Sequence, residues 1–307
     1  MKTLTYILIS ISVIFWGVSF ILTKELFLTE PNMSVTLLIF LRLMVASVVM
    51  VPLMAFTGKM PKLRRAPSGR QKLLRGDLKW FLLLTLCEPF IYHLCETTGV
   101  QMVSGSLASV IIATIPLFVP FGMWIAYRER ISIAMILGVI LSLAGVTLIL
   151  VGGEGFSGNI GGILFLTGAV AIAVVYTILL VKIVDHYNPL AITTLQNLIG
   201  LIYFLPLVLL FDGNNLLQLS WSPKMIGLLL TLGIGCSTLA YAFYNLGVRR
   251  LGASQACIFN NAIPVFSLIA AVLIGQEVFS WSKAIGIAVV IVGVIIAQGR
   301  GKMKMES

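Results

Sequence analysis

One segment of this sequence is repeated 148 residues further along the chain. Twelve residues between positions 99 and 146 are identical to those at the shifted positions, without a gap. The matched pairs are Gly99 with Gly247, Val100 with Val248, Ser106 with Ser254, Ala108 with Ala256, Ile115 with Ile263, Pro116 with Pro264, Phe118 with Phe266, Glu129 with Glu277, Ser132 with Ser280, Gly138 with Gly286, Gly145 with Gly293 and Val146 with Val294. A shared apolar bias is the alternative explanation, but it does not place prolines and polar residues in register. The chain is therefore predicted to be an internal duplication.

The composition places the chain in a lipid bilayer. Hydrophobic residues make up 59% of the 307 residues and charged residues 10%, with a mean hydropathy of +1.06. That leaves too little polar surface to cover a water-soluble globule. The formal net charge is +10, but the basic residues lie in short interruptions between apolar runs, so no nucleic-acid partner is expected. The four cysteines lie inside apolar runs without paired spacing, as small hydrophobic residues do.

The apolar runs predict ten transmembrane helices, so the expected fold class is an all-α integral membrane protein. Each run has about twenty residues, the length at which a helix crosses a hydrocarbon core of ~30 Å. Their approximate limits are 4–24, 34–56, 78–98, 104–127, 133–151, 160–182, 189–211, 223–247, 253–275 and 281–298. No small-residue cleavage site follows the first run, which is therefore expected to be retained as a helix.

The distribution of Lys and Arg predicts the orientation. If the N-terminus is cytoplasmic, 17 of these residues fall on inner segments and three on outer ones. Basic residues favour the cytoplasmic side, so both termini are predicted to lie in the cytoplasm, with the protein in the cell (inner) membrane. The basic stretch 58–79 is then a cytoplasmic loop. It is interpreted as a topology signal that touches membrane lipid, with a regulatory site as the alternative.

Five predicted helices precede the second copy, and five is an odd number. Each helix of the first half therefore crosses the membrane in the opposite direction from its partner. The chain is predicted to contain two five-helix inverted repeats, residues 1–152 and 159–298, around a central cavity, followed by a basic cytoplasmic tail at 299–307. Two such halves can exchange conformations, which provides one gate to each side.

Several of these residues resemble the EamA-type transporters of the drug/metabolite transporter superfamily. The resemblance rests on Trp16-Gly17, the two Ile-Pro pairs, Glu129 with Glu277, and the glycines of the fifth and tenth helices. It implies a secondary transporter whose cavity is lined mainly by helices 1, 3, 4, 6, 8 and 9, with Trp16, Tyr176 and Tyr241 in its walls. It further implies that helices 5 and 10 are peripheral and associated with homodimer contacts. Family members carry amino acids, sugars, nucleotide derivatives and other metabolites, so the substrate remains open.

The third helix carries acidic residues at the depth of the bilayer centre. Glu88 lies ~15 Å along that helix, and Tyr92 and Glu96 follow at i+4 and i+8, with Cys95 at i+7, on one expected face. An ionised carboxylate facing lipid is costly, so this face is expected to meet protein or water. Arg42, ~12 Å deep in the second helix, is within reach of Glu88 or Glu96. The alternatives are a structural ion pair and a substrate site at which Glu88 also exchanges a proton.

His93 lies on the same helix but is expected to point about 140° away from Glu88, nearer to Glu96. A carboxylate metal site is the less favoured interpretation, because the other histidine, His186, falls in a predicted cytoplasmic loop. A hydrogen-bonded contact between helices is favoured. No metal or cofactor is expected.

The second copy replaces this acidic chemistry with other polar groups. Cys236 stands at the position of Glu88, and Tyr241 matches His93. Asn260 and Asn261 precede Pro264, whose missing N–H is expected to free a backbone carbonyl about four residues earlier. Two amides beside a free carbonyl are predicted to bind a polar substrate, with a purely structural contact between helices as the alternative.

These observations predict a secondary active transporter. It is expected to export a small polar metabolite, such as an amino acid, by alternating access, with proton coupling through Glu88. The predicted substrate-binding residues are Trp16, Arg42, Glu88, Tyr92, Glu96, Tyr241, Asn260 and Asn261. An intramembrane enzyme that uses Glu88, His93 and Glu96 is the alternative. The sequence shows no nucleophile with a partnered base and no phosphate-binding loop to accompany those three residues.

Overall fold

A computed structural model describes residues 2–57, 77–128, 133–152 and 159–298, and all regular structure in these ranges is helical. In chain order the helices are α1 Lys2–Thr29, α2 Val35–Thr57, α3 Leu78–Met102, α4 Gly105–Tyr127, α5 Ile133–Gly152, α6 Ile160–Val184, α7 Pro189–Leu217, α8 Pro223–Leu251, α9 253–274 and α10 Trp281–Gln298. Glu129, Ser132, most of the basic stretch (58–76) and the tail 299–307 lie outside the described residues.

Seven helices of the described chain are long and apolar enough to cross a membrane: α1 to α4 and α6 to α8. The apolar stretches of α9 and α10, Phe259–Ile274 and Trp281–Gly293, are shorter. The prediction of an all-helical membrane protein is therefore confirmed, whereas ten crossings remain a prediction. Four helices continue at least four residues past their predicted ends: α1 to Thr29, α3 to Met102, α7 to Leu217 and α8 to Leu251. The acidic residues Glu25 and Asp212 lie in the extensions of α1 and α7.

Four helices are interrupted near their middles. The helix α3 is kinked within Leu86–Ile91, where the backbone of Glu88 is not helical, and a wide π-helical turn replaces α-helix at Thr231–Leu239 in α8. The helix α4 is broken at 113–114, just before an Ile-Pro pair, and α9 tightens into a 3₁₀ turn at Ile258–Ala262, also just before such a pair. Prolines in the helix interior prevent regular hydrogen bonding, which accounts for the breaks beside Pro89, Pro116 and Pro264. The breaks in α3 and α4 lie 148 residues before those in α8 and α9, so they occupy matching positions in the two copies.

The helices α5 and α10 pack against each other through glycines. A Cβ atom added to Gly145 would lie 2.8 Å from the carbonyl oxygen of Gly286, and one added to Gly293 would lie 2.8 Å from that of Gly138. These separations are too short for a side chain, so the glycines are what allow the two backbones to approach. Each contact is the other one displaced by 148 residues with the roles of the two helices exchanged.

The remaining helices surround a common interior. The helix α1 packs on α8 and α9, and α6 packs on α3 and α4, while α2 packs on α7 and α8. At one end of the bundle, Lys24 of α1 donates hydrogen bonds to the carbonyl oxygens of Val100, Gln101 and Val103, at 3.3, 2.8 and 3.1 Å, at the end of α3. A cation at a helix C-terminus satisfies carbonyls that have no partner within the helix.

Candidate functional site

A cavity lies where the interrupted helices meet. Its empty volume, with the open mouth included, is about 670 Å³, within the size range of sites for small molecules. The walls come from α1, α3, α4, α6, α8 and α9, the helices that the family resemblance implied, and additionally from α2. The side chains that line it are Trp16, Ser19, Phe20, Arg42, Glu88, Tyr92, His93, Glu96, Ile112, Ile115, Ala173, Tyr176, Thr177, Tyr241, Tyr244, Asn260 and Ile263.

Glu88 lies at the break in α3. Its backbone is extended (φ −141°, ψ 116°), and the residue after it, Pro89, has no N–H to donate. The side-chain amide of Gln196 on α7 contacts this break, where its Nε2 donates to the Glu88 carbonyl oxygen at 2.9 Å. The Glu88 side chain is 4% exposed and accepts a hydrogen bond of 2.5 Å from the Tyr241 hydroxyl. The unbroken third helix expected from the sequence is therefore wrong at this residue.

His93 lies between the two carboxylates of α3. Its Nε2 is 3.2 Å from Glu88 Oε1, and its Nδ1 is 3.6 Å from Glu96 Oε2. The expectation that it points away from Glu88 is wrong, because the extended backbone at Glu88 changes the direction of that side chain relative to the rest of the helix. Glu96 also accepts a hydrogen bond of 3.1 Å from the Thr97 hydroxyl. The result is a buried row of carboxylate, imidazole and carboxylate.

The expected common face of the third helix is only partly observed. Glu88, Tyr92 and Glu96 all line the cavity. Cys95 does not, because its sulfur lies against α6, 3.9 Å from the position that a Cβ on Gly168 would occupy. Within the described residues, no group of three or more His, Cys, Asp or Glu side chains has an arrangement that could hold a metal ion.

Arg42 of α2 contributes a buried positive charge to the cavity wall. Its side chain is 4% exposed, and its Nε donates to the Ser237 hydroxyl at 3.2 Å. No carboxylate oxygen of the described residues lies within 4.0 Å of the guanidinium nitrogens, so the structure lacks the direct ion pair with Glu88 or Glu96 that was one alternative. The charge nevertheless acts on both carboxylates. Its terminal NH₂ groups are left available to the cavity.

Aromatic rings form another part of the cavity wall. The Trp16 ring centroid lies 5.0 Å from that of Tyr241 and 5.1 Å from that of Tyr244. The indole Nε1 of Trp16 donates to the Cys236 carbonyl oxygen at 3.2 Å, inside the wide turn of α8. Cys236 matches Glu88 in the repeat. In both copies, therefore, the backbone carbonyl at this position accepts a hydrogen bond from a side-chain N–H of another helix.

The two amides of α9 occupy different environments. Asn260 lines the cavity, whereas Asn261 does not, although both are buried. Asn260 Oδ1 and both amide atoms of Asn261 have no hydrogen-bond partner in the described part of the chain. The Asn260 carbonyl oxygen accepts a hydrogen bond from the N–H of Ile263, so the expected free carbonyl is wrong. In the tighter 3₁₀ turn, an i→i+3 bond replaces the one that Pro264 cannot form.

The structure adds residues that the sequence reasoning did not assign to the site, chiefly His93, Ser237 and Gln196. The predicted seventh helix contains Thr193, Thr194, Gln196 and Asn197 within an otherwise apolar run. Polar residues this dense inside a membrane helix indicate a face turned toward protein or water. That signal would have pointed to α7.

Comparison with known proteins decides the family. The EamA-like transporter family matches this chain twice, over residues 3–151 and 160–298. The chain belongs to the EamA-like transporter family. Its similarity extends to an uncharacterized transporter of Archaeoglobus fulgidus, 26% identical over 95% of this chain and 97% of that protein. The uncharacterized transporter YetK of Bacillus subtilis is 26% identical over 83% of this chain and 76% of YetK.

A solved structure supports the fold of this EamA family member. A crystal structure superimposes with a TM-score of 0.70 over 98% of this chain and 97% of its own chain, at 20% sequence identity. At that identity the likeness shows the fold alone. Together with the family match and the apolar helices, it identifies a multi-pass membrane transporter.

Proposed function

We propose that this EamA family member is a secondary active exporter of a small polar metabolite, such as an amino acid, and that Glu88 couples export to protons. One observation carries the proposal: a buried row of Glu88, His93 and Glu96 lines the same cavity as Arg42, which has no carboxylate partner among the described residues. Ionisable groups inside a membrane protein are costly and mark substrate and proton pathways.

The arrangement of charges favours a substrate with both a carboxylate and an ammonium group. The terminal NH₂ groups of Arg42 suit a bidentate contact with a carboxylate. The carboxylates of Glu88 and Glu96, beside the rings of Trp16 and Tyr241, suit an ammonium group. The amide of Asn260, with its unpaired Oδ1, offers a further contact.

Proton coupling follows from competition at one carboxylate. A proton on Glu88 neutralises the charge that would hold the ammonium group, so proton and substrate bind alternately. Charged or titratable side chains face Glu88 from four helices, while α7 contributes only uncharged polar side chains. These groups are Tyr92, His93 and Glu96 of α3, Arg42 of α2, Tyr176 of α6, and Tyr241 of α8.

Alternating access is supported by the internal symmetry. The reciprocal glycine contacts of α5 and α10, the matching helix breaks and the double family match are all expected of ten crossings arranged as two inverted five-helix repeats. Exchange of conformation between the halves would open the cavity to one side and then to the other. The proposal includes the cell-membrane orientation with cytoplasmic termini.

The outer faces of α5 and α10 are proposed to meet lipid or a second copy of the chain. Ile133, Leu137 and Ile140 of α5 are 75%, 57% and 60% exposed. The mass of the detergent-solubilised protein distinguishes a homodimer from a monomer.

The intramembrane-enzyme alternative gains no support from the site. In the described chain, Glu88 and Glu96 accept hydrogen bonds from the hydroxyls of Tyr241 and Thr97, and none of Glu88, His93 and Glu96 hydrogen-bonds a serine or cysteine side chain.

Ligand-dependent unfolding of the purified protein tests the proposal. A panel would contain free amino acids, their decarboxylated amines, and the corresponding carboxylic acids without the amino group. A ligand that binds the folded state raises its Tm. The proposal expects stabilisation by amino acids that Arg42→Gln abolishes. Stabilisation only by neutral sugars, or stabilisation that Arg42→Gln leaves intact, would remove the substrate assignment.

A further inference from the structure

We propose that water in a second pocket beside α7 carries protons to and from Glu88 and His93, by a route separate from the substrate cavity. This inference rests on the proposed function. The second pocket, the α7 pocket, has an empty volume of about 240 Å³. It shares three residues with the substrate cavity, Glu88, His93 and Tyr241. Its other walls are Leu43, Pro89, Thr193, Gln196, Asn197 and Ser237.

The α7 side of this pocket is a buried polar stripe. Thr193, Gln196 and Asn197 lie at i, i+3 and i+4, which places them on one helix face, and they are 2%, 4% and 4% exposed. Gly200 continues the stripe, and a Cβ there would lie 2.8 Å from the Pro89 side chain. The glycine thus lets α7 approach the break at Glu88 closely. Gln196 donates to the Glu88 carbonyl oxygen and Thr193 to that of Pro189, but the Asn197 Nδ2 group has no partner in the described chain, so this amide requires another explanation.

Two amides at this stripe, Asn197 of α7 and Asn245 of α8, each have one atom without a hydrogen-bond partner in the described chain. These atoms are the donor Asn197 Nδ2 and the acceptor Asn245 Oδ1. Asn245 Nδ2 donates to the hydroxyl of Thr193, which lines the α7 pocket, at 3.2 Å. Leaving a buried amide unpaired is costly, and a water molecule can satisfy both a donor and an acceptor. The α7 pocket has room for about one such water.

The stripe leads from one end of the bundle to Glu88. Along α7, Thr193 lies ~6 Å and Asn197 ~12 Å from the first residue, Pro189. In the proposed orientation Pro189 is at the cytoplasmic end. The stripe therefore extends from the buried carboxylate toward the cytoplasmic end of α7.

The proton transfer needs no other reactant. The O–H bond of protonated Glu88 breaks, the carboxylate keeps the electron pair, and a new O–H bond forms on the pocket water, which passes a proton on toward Thr193. His93, 3.2 Å from Glu88 Oε1, receives or returns the same proton at Nε2. Tyr241 stands in the wall between the two compartments. Because the proton leaves through the α7 pocket, Glu88 can ionise before the substrate binds without releasing the proton into the main cavity.

Hydrogen–deuterium exchange at the Glu88 carboxyl group tests this route without a transported substrate. The purified protein is moved into D₂O at acidic pH, and the carboxyl C=O band is followed by infrared spectroscopy. The band is assigned by its loss in Glu88→Gln. Asn197→Leu replaces the unpaired amide with an apolar side chain of similar size and is expected to slow exchange about tenfold, as for loss of a hydrogen-bonded water from a buried path.

Two further variants keep the result interpretable. Thr194→Val is the matched control, because Thr194 is equally buried on α7 but bonds its own helix at Leu190 and does not line the pocket. It is expected to exchange like the wild type. Asn197→Ser keeps a polar group and is expected to retain fast exchange if Asn197→Leu fails to fold.

The outcomes separate the two proposals. Exchange in Asn197→Leu as fast as in the wild type overturns the α7 route, and so does slow exchange in Asn197→Ser. If the wild-type protein shows no carboxyl C=O band that disappears in Glu88→Gln, at any pH tested, proton coupling through Glu88 itself is refuted.

Discussion

Removal of the Gln196 amide should destabilise the fold by a predictable amount. Gln196 Nε2 donates to the Glu88 carbonyl oxygen at 2.9 Å, and both residues are 4% exposed. In Gln196→Leu this carbonyl loses its cross-helix partner in a setting that excludes bulk water. An unsatisfied buried acceptor costs about 1–3 kcal/mol. For a chain of this size that corresponds to a fall in Tm of roughly 2–6 °C.

The native cysteines provide the assay. Cys236 and Cys257 are buried, and a thiol-reactive fluorogenic dye reports their exposure as the protein unfolds in detergent on heating. Thr194→Val serves as the control, since its hydroxyl bonds a carbonyl within its own helix. A Gln196→Leu protein that unfolds at the wild-type temperature would refute the argument, because the break at Glu88 would then be held without this hydrogen bond.

Further predictions concern the helix contact and the charged wall. Gly145→Val should lower Tm by several degrees, because a Cβ there would meet the Gly286 carbonyl oxygen at 2.8 Å. Gly227→Ala is the control: a Cβ there has no atom within 4 Å, so Tm should be unchanged or slightly higher. Equal Tm values for the two variants would contradict the close packing of α5 and α10. Arg42→Lys should weaken amino-acid binding at least about tenfold, since a lysine cannot form the bidentate contact, whereas Lys224→Gln at the surface should not. Calorimetric titration with free amino acids measures both, and wild-type affinity in Arg42→Lys would count against the carboxylate contact.

Much of the fold could be predicted from the residues. The apolar runs set the all-helical membrane class, because only regular hydrogen bonding satisfies the backbone in lipid. The glycines that the two copies share in α5 and α10 lie at the crossing of those helices. The acidic residues of α3 had to face protein or water, and they line the cavity.

The details of the site depended on geometry that helical periodicity does not contain. The predicted direction of the His93 side chain was wrong because a regular helix was assumed through Glu88-Pro89. The carbonyl of Asn260 was expected to be free because an α-helical bonding pattern was assumed where a 3₁₀ turn forms. The role of Gln196 requires knowing that α7 packs against the break in α3, a tertiary contact that no local pattern specifies.

The most direct test of proton coupling is amino-acid exchange in proteoliposomes with and without an imposed pH gradient. Radiolabelled amino acids that stabilise the purified protein serve as the probe. Glu88→Gln is compared with Glu30→Gln, whose carboxylate is equally buried, at 3% exposed, but bonds Ser220 outside the cavity. The account predicts that the gradient accelerates transport by the wild type and Glu30→Gln, while Glu88→Gln, which has lost a carboxylate for the ammonium group, transports amino acids more slowly and does not respond to the gradient. A gradient response that survives in Glu88→Gln would contradict the account.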